Sequence, residues 1–182
     1  HIALTRESAT SVNLLRILLR EFVGLNDLSD GVPDEPVEQL LQQGQPALLI
    51  GDRALHAAKN CPQGQRIYDL GQLWYQYTGL PFVFALWMVR RASADRFPEQ
   101  LQQLGQQLLD SRTQVMTNAE SYALNAAGTS KMDPKTISTY WAGIDYSLEQ
   151  KHLEGLKLFF QLCVKYSYLP EQAELDFFDF AG

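Results

Sequence analysis

The sequence has 182 residues, of which 46% are hydrophobic and 20% charged, with a net charge of −6 at pH 7. These proportions are typical of a globular domain, and no apolar run is long enough to cross a membrane as a helix. Because neutralising phosphates requires an excess of lysine and arginine, we predict no nucleic-acid partner, and no membrane partner either.

The two cysteines, Cys61 and Cys163, lie far apart in the sequence and have no neighbouring histidine or cysteine at metal-ligand spacing. The sequence therefore predicts no metal site, and no motif in it indicates a cofactor. Unpaired thiols are typical of a cytoplasmic protein, which is the predicted location, although a single disulfide stays open at this point.

A hydroxyl-rich loop, residues 5–11, precedes the first predicted helix. Apolar residues recur at helical spacing from Val12 to Phe22. Ser8, Thr10 and Ser11 are good capping residues, so the first turn is expected to present free N–H groups and hydroxyls, which is how helix starts bind anions. Capping of the helix without any ligand is the alternative interpretation.

Two stretches predict strands of an α/β sheet. Residues 46–52 indicate a short buried strand that stops at Gly51 and Asp52, and polar groups at such strand ends contact ligands. Asp52 suits capping of the next helical turn equally well. Residues 82–89, F-V-F-A-L-W-M-V, form an unbroken apolar run that predicts a central strand covered on both faces.

The other predicted elements leave that central strand short of neighbours. Residues 67–71 are a further strand candidate and residues 72–77 a helix, whereas the second half of the chain carries helical patterns alone. The predicted helices there lie at residues 98–127, with a possible break, at 135–141 and at 148–166. The sheet that residues 82–89 require is therefore barely provided by the rest of the sequence.

Three sequence blocks resemble the chorismate dehydratases, the first enzymes of the futalosine route to menaquinone. The central block reads A-L-L-I-G-D-R-A-L at 47–55 and Y-D-L-G-Q-L-W-Y-Q-Y-T-G-L-P-F-V-F-A-L-W at 68–87. The stretch S-A-T-S-V-N-L-L-R-I-L-L at 8–19 is similar to that family's R-T-S-hydrophobic helix start. The blocks Y-W-A-G-I-D-Y-S-L at 140–148 and L-E-G-L-K-L-F-F at 153–160 resemble its closing helices.

The resemblance implies an α/β fold of the type II periplasmic-binding-protein-like class, with two lobes and a ligand in the cleft. On this mapping residues 1–78 are the second lobe, and residues 79–182 are the return strand and helices of the first lobe. The opening part of the first lobe has no counterpart here, which accounts for the missing sheet. Because the sequence also starts at His1, we expect a longer gene product and weak or no turnover by this chain alone.

The resemblance also implies a hydro-lyase that converts chorismate, a dicarboxylate, to 3-enolpyruvyl-benzoate (3-[(1-carboxyvinyl)oxy]benzoate). Ser8, Thr10 and Ser11 would then bind one carboxylate. Gly51 and Asp52 would face the cleft, with Asp52 the weak catalytic candidate. Phe82 would wall the ring together with Phe84, although core packing is the favoured use for at least one of the two. The general base is not identified.

Two other functions compete with this interpretation. One is the 1,4-dihydroxy-6-naphthoate synthase of the same pathway, which shares the fold but suits the G-L-P-F-V-F-A-L-W run less well. The other is a non-catalytic module that closes on a small carboxylate. The sequence leaves open whether the chain forms a homodimer.

Overall fold

The computed structural model describes residues 1–130 and 132–178. Packing divides the chain into two compact units, which we describe separately. The first unit comprises His1–Ala85 and Leu148–Ala173. The second comprises Leu86–Ser147 and the tail from Glu174 onward.

A small parallel β-ladder lies in the first unit. Strand β1 (Ile2–Ala3) pairs with β2 (Asp30–Gly31) in parallel, with Ala3 opposite Gly31. On the other side of β1, a single parallel bridge joins Ala3 to Ala47. Because β1 is central and all three segments run the same way, their carboxyl ends lie at one edge, as in α/β proteins.

The first helix, α1 (Ala9–Ile17), continues into a π-helical turn at Leu18–Phe22. Leu14, Ile17 and Leu18 are buried, and together they form the apolar stripe that the spacing predicts. The predicted helix up to Phe22 is therefore confirmed, with the difference that its last turn is wider than an α-turn.

The remaining helices follow in chain order. Within the described residues they are α2 (Val37–Gln42), α3 (Gly51–Lys59), α4 (Leu70–Thr78), α5 (Arg91–Arg96), α6 (Pro98–Thr117), α7 (Ala119–Ser130), α8 (Pro134–Ala142) and α9 (Gln150–Lys165). The helices predicted in the second half are confirmed, and the break between α6 and α7 falls at Asn118. No helix among these is long and apolar enough to span a bilayer.

The main core of the first unit surrounds Trp74 of α4. This side chain is fully buried, and its ring centroid lies 5.5 Å from that of Phe82 and 6.2 Å from that of Phe159 on α9. The other buried members of the cluster are Leu14, Ile17, Leu18, Leu162 and Cys163. Helices α1, α4 and α9 are thus held together by one apolar cluster.

Residues 82–89 do not form the predicted central strand. They lie outside every helix, strand and turn, and their backbone groups make no hydrogen bond to another described residue. A strand requires a neighbour, and the ladder around β1 does not include this segment. From Phe84 onward the side chains are exposed instead of buried, so the prediction is wrong for this chain.

The other two predicted strands are also reduced or absent. Residues 46–52 contribute only the bridge at Ala47, because α3 already begins at Gly51. Residues 67–71 form no strand, and α4 begins within them at Leu70. The chain is therefore a mixed, mostly helical α/β protein with few strands.

Candidate functional site

A crevice of about 330 Å³ opens at the carboxyl ends of β1 and β2. Thr5, Arg6 and Glu7 line it from the loop after β1, residues 32–36 line it from the loop after β2, and Arg53 lines it from α3. Ligands in α/β proteins bind at the carboxyl ends of parallel strands. This crevice is therefore the candidate site of the first unit.

Arg53 ties three segments together around the crevice. Its guanidinium donates to both carboxylate oxygens of Glu38 on α2, from Nε at 2.5 Å and from Nη2 at 2.7 Å. It also donates from Nη1 to Oε1 of Glu7 at 3.0 Å. Glu7 directly precedes Ser8 and Arg53 directly follows Asp52. The ion pair thus places the predicted binding segment that begins at Ser8 close to the one that ends at Asp52.

The charges in this group support one another. Hydrogen bonds to Glu38 and then to Glu7 raise the pKa of Arg53, and the hydrogen bond from Arg53 lowers the pKa of Glu38. The Arg53 side chain is about a third exposed, so solvent screens the attraction and we assign it no large stabilising effect. Its structural effect is to fix the loop before α1 against α2 and α3.

The start of α1 is held by two serines that bond to each other. Ser8 is the N-cap, and its hydroxyl accepts the amide of Ser11 at 3.1 Å and donates to the Ser11 hydroxyl at 3.0 Å. Ser11 is buried. Capping is therefore what Ser8 does in this structure, and the amide of Ser11 is already used.

Thr10 is placed differently, because its donors are available. Within the part of the chain that the structure describes, neither the hydroxyl nor the amide of Thr10 has a hydrogen-bond partner, and the amide of Ala9 has none either. Thr10 as a residue is partly buried. These groups stand at the positive end of the helix dipole, which makes them a suitable seat for a carboxylate.

Gly51 and Asp52 form the first turn of α3. Gly51 has a φ of +57°, in the left-handed region that favours glycine. Asp52 is exposed, and its carboxylate has no partner among the described residues. The N-cap of α3 is Ile50, and no side chain caps it, so Asp52 does not take the capping role that was its alternative.

Phe82 lies in the aromatic core cluster. Its ring centroid is 5.0 Å from that of Phe159 and 4.7 Å from that of Phe84. Phe84 is 54% exposed. Phe82 is not among the residues that line the crevice, whereas Ser8 and Asp52 each adjoin a lining residue in sequence.

Four residues at this site were not predicted from the sequence: Thr5, Glu7, Glu38 and Arg53. One signal was present: an arginine in the first turn of a helix opposes the helix dipole, so Arg53 required a specific acidic partner. The sequence did not predict which acidic residue this would be, because Glu38 contacts Arg53 only through the tertiary packing of α2 beside α3.

Two comparisons with known proteins bear on this site. Residues 1–165 match the model of a protein family described as menaquinone biosynthesis. The chain is also 35% identical, over 175 residues, to a protein named chorismate dehydratase from Thermus thermophilus, and the match covers 87% of this chain. The chain spans about 60% of the length of that relative. Since the family match extends over most of the sequence, the chain belongs to the menaquinone biosynthesis family.

Proposed function

We propose that this chain forms part of a chorismate dehydratase, a hydro-lyase that converts chorismate to 3-enolpyruvyl-benzoate in menaquinone biosynthesis. The family match and the name of the Thermus relative support the proposal. The observation that carries it is the start of α1, where the donors of Thr10 have no partner among the described residues, three residues after Glu7 of the crevice lining. Such donors bind a carboxylate without a buried cation.

We further propose a two-lobed fold of the type II periplasmic-binding-protein-like class. Residues 1–78 would form the second lobe, and residues 79–182 the return strand and helices of the first. The parallel ladder with a crevice at its carboxyl edge supports this arrangement. The relative is longer than this chain, which spans about 60% of its length, so it has room for the part of the first lobe that we place outside these residues.

The proposed reaction removes the ring hydroxyl and a ring proton of chorismate as water, and the ring becomes aromatic. Since water is the only other product, the elimination is redox-neutral and consumes no oxidant or reductant. The protein then has to hold the carboxylates, exclude water and position a base. The cytoplasm is the proposed compartment, and the free thiols of Cys61 and Cys163 support it.

The predicted site residues have different roles in the proposed enzyme. Thr10 donates to one carboxylate, while Ser8 and Ser11 fix the helix start that presents it. Gly51 sets the turn that places Asp52, whose free carboxylate accepts a hydrogen bond from the ring hydroxyl. Phe82 supports the exposed ring of Phe84 from the core side, and that ring walls the substrate.

A chimaera tests the proposal. The region of the Thermus relative that matches this chain is replaced by the 182 residues, so that the relative supplies the rest of its own length. We expect the chimaera to consume chorismate, with the benzoate product followed by ultraviolet absorbance and identified by mass. A folded chimaera that binds chorismate without consuming it would instead support a carboxylate-binding module.

The 182-residue chain by itself provides the second measurement. We expect it to show weak or no turnover, because part of the proposed cleft lies outside it. Turnover by the chain alone at the rate of the intact relative would contradict the proposal that a required segment is absent.

A further inference from the structure

The substrate of the proposed reaction carries two carboxylates, and Thr10 accounts for one of them. Carboxylates in proteins are bound by cations and by N–H and O–H donors. The second carboxylate needs such a group within reach of a six-membered ring that is held at Thr10. Arg6 satisfies this condition, because it precedes Thr10 by four residues, which span at most about 14 Å of chain.

Arg6 is a cation of the crevice that has no acidic partner. It lines the crevice and is exposed. Within residues 1–130 and 132–178, no group forms a hydrogen bond or an ion pair with it. The acid that follows it in the sequence, Glu7, is bound instead by Arg53, at 3.0 Å. The positive charge of Arg6 is therefore not neutralised by an ion pair.

The position of Arg6 beside α1 makes an unneutralised charge unfavourable unless an anion is bound. Ser8 is the N-cap of α1, so Arg6 lies two residues before the positive end of the helix dipole. The dipole repels a cation there, whereas the dipole and the arginine both attract an anion. The first turn of α1 contains no acidic side chain that would offset this charge. The local charges therefore favour an anionic ligand beside Arg6.

Thr5 is a buried residue next to Arg6. It is 2% exposed and also lines the crevice. Its Oγ1 accepts the amide of Glu7 at 3.2 Å, which fixes the turn that carries Arg6. In the described part of the chain, no group accepts the proton of this hydroxyl. A buried hydroxyl with an unused proton is a suitable donor to a carboxylate.

The acidic residues of the crevice show why a carboxylate needs Arg6 there. The lining contains Glu7, Asp34 and Glu35 together with two arginines, Arg6 and Arg53. Because Arg53 is already paired with Glu7, an entering carboxylate is repelled by Asp34 and Glu35 and attracted by Arg6. Without Arg6 the lining would disfavour any anion.

We propose that Arg6 binds the second carboxylate of the substrate, with the hydroxyl of Thr5 as a further donor, while Thr10 binds the first. The ligand class is a dicarboxylate whose two acid groups are carried by one six-membered ring and its side chain. The identity of the substrate rests on the proposed function. Binding of a dicarboxylate is nevertheless measurable without turnover.

The test compares two ligands that differ in one carboxylate. The first is the product, 3-[(1-carboxyvinyl)oxy]benzoate, and the second is 3-methoxybenzoate, which keeps the ring, its carboxylate and the ether oxygen. Titration calorimetry with the chimaera should show that the product binds at least about 10-fold more tightly, because it makes a second charge-assisted contact. In Arg6→Gln this ratio of affinities should fall to about 2-fold or less.

The matched control is Arg66→Gln. This change removes the same charge at an exposed loop position of the first unit, outside the crevice lining. The ratio of affinities should stay as it is in the unmodified chimaera. Thermal melting shows that each variant is folded.

Three results would overturn the inference: equal binding of the two ligands by the unmodified chimaera, an unchanged ratio in folded Arg6→Gln, or the same loss of ratio in Arg66→Gln. Chorismate consumption is recorded on the same samples. Turnover with a ratio that Arg6→Gln leaves unchanged supports the dehydratase and removes Arg6 from the site. A ratio that depends on Arg6, in an unmodified chimaera without turnover, supports the second carboxylate-binding position and counts against the dehydratase.

Discussion

Thr10 offers the clearest test of the proposed carboxylate-binding site, because its side chain makes no other hydrogen bond to a described residue. Its hydroxyl has no partner among the described residues, whereas the neighbouring Ser8 and Ser11 hydroxyls bond to each other. Thr10→Ala in the chimaera should raise the KM for chorismate by about 10-fold or more, since a hydrogen bond to a charged group contributes ~1.5–3 kcal/mol. Steady-state kinetics and thermal melting together measure the effect.

The matched control for that change is Thr113→Ala on α6. The Thr113 hydroxyl donates to the carbonyl of Leu109 one turn earlier. This substitution removes the same atoms as Thr10→Ala, but at an exposed helix position far away in the sequence. We expect kinetics like those of the unmodified chimaera. Equal KM values for the Thr10 and Thr113 variants would exclude Thr10 from carboxylate binding.

For individual residues, the sequence predicted the helix-capping hydrogen bonds better than it predicted the ion pairs. The pattern around Ser8 is local, because a cap and its acceptor amide lie three residues apart. The pairing of Arg53 with Glu38 joins residues 15 positions apart through the packing of two helices, and no local rule predicts it. The same holds for the available donors of Thr10, which only the coordinates distinguish from those of Ser11.

Among the elements, α9 contacts the chain that follows α4 at one tight point. Gly155 is buried in α9, and a Cβ built there would overlap the carbonyl oxygen of Pro81. Gly155→Ala should therefore lower the free energy of unfolding by roughly 2 kcal/mol, because a backbone carbonyl cannot move aside as a side chain can. Urea unfolding followed by circular dichroism measures the change.

Gly128→Ala in α7 is the corresponding control, since a Cβ there meets nothing within 4 Å. Alanine favours a helix over glycine by about 1 kcal/mol, so this variant should be neutral or slightly more stable. If both variants unfold at the same urea concentration as the parent, the close approach at Pro81 has no energetic weight.

Elements with a strong helical period were predictable, and the strands were not. Helix α4 was expected from its pattern and is present, because Trp74 and its neighbours bury a face within the chain itself. Residues 82–89 carry a strong strand pattern but have no neighbour, and a strand cannot satisfy its backbone alone. The sequence pattern predicts which secondary structure a segment favours, whereas strand pairing also depends on which other segments are present.

For the whole molecule, acid should be destabilising through its paired carboxylates. Arg16 donates to both oxygens of Asp30, at 2.9 Å and 2.5 Å, and this hydrogen bond lowers the pKa of Asp30. A carboxyl whose pKa is depressed by folding stabilises the fold above its unfolded pKa, near 4. That contribution is lost as the pH falls through the lower, folded value.

Asp30→Asn should therefore lose stability at pH 7 and show a shallower fall in the urea midpoint below about pH 4 than the parent. Asp95→Asn on α5 removes the same charge at an exposed position and serves as the reference for the change in net charge. Parallel pH curves for the parent and the Asp30 variant would show that the ion pair with Arg16 has no role in acid sensitivity.

The π-helical turn at the end of α1 has a further consequence for how this molecule can evolve. Such a turn holds one residue more than an α-turn, which rotates the following side chains by about 100°. Phe22 thereby stacks on Tyr77, with ring centroids 4.9 Å apart, and Arg20 donates to the Tyr168 hydroxyl at 2.8 Å. Loss of a single codon here would restore an ordinary helix and turn these side chains away. We therefore expect this turn to tolerate substitutions far better than the deletion of a residue.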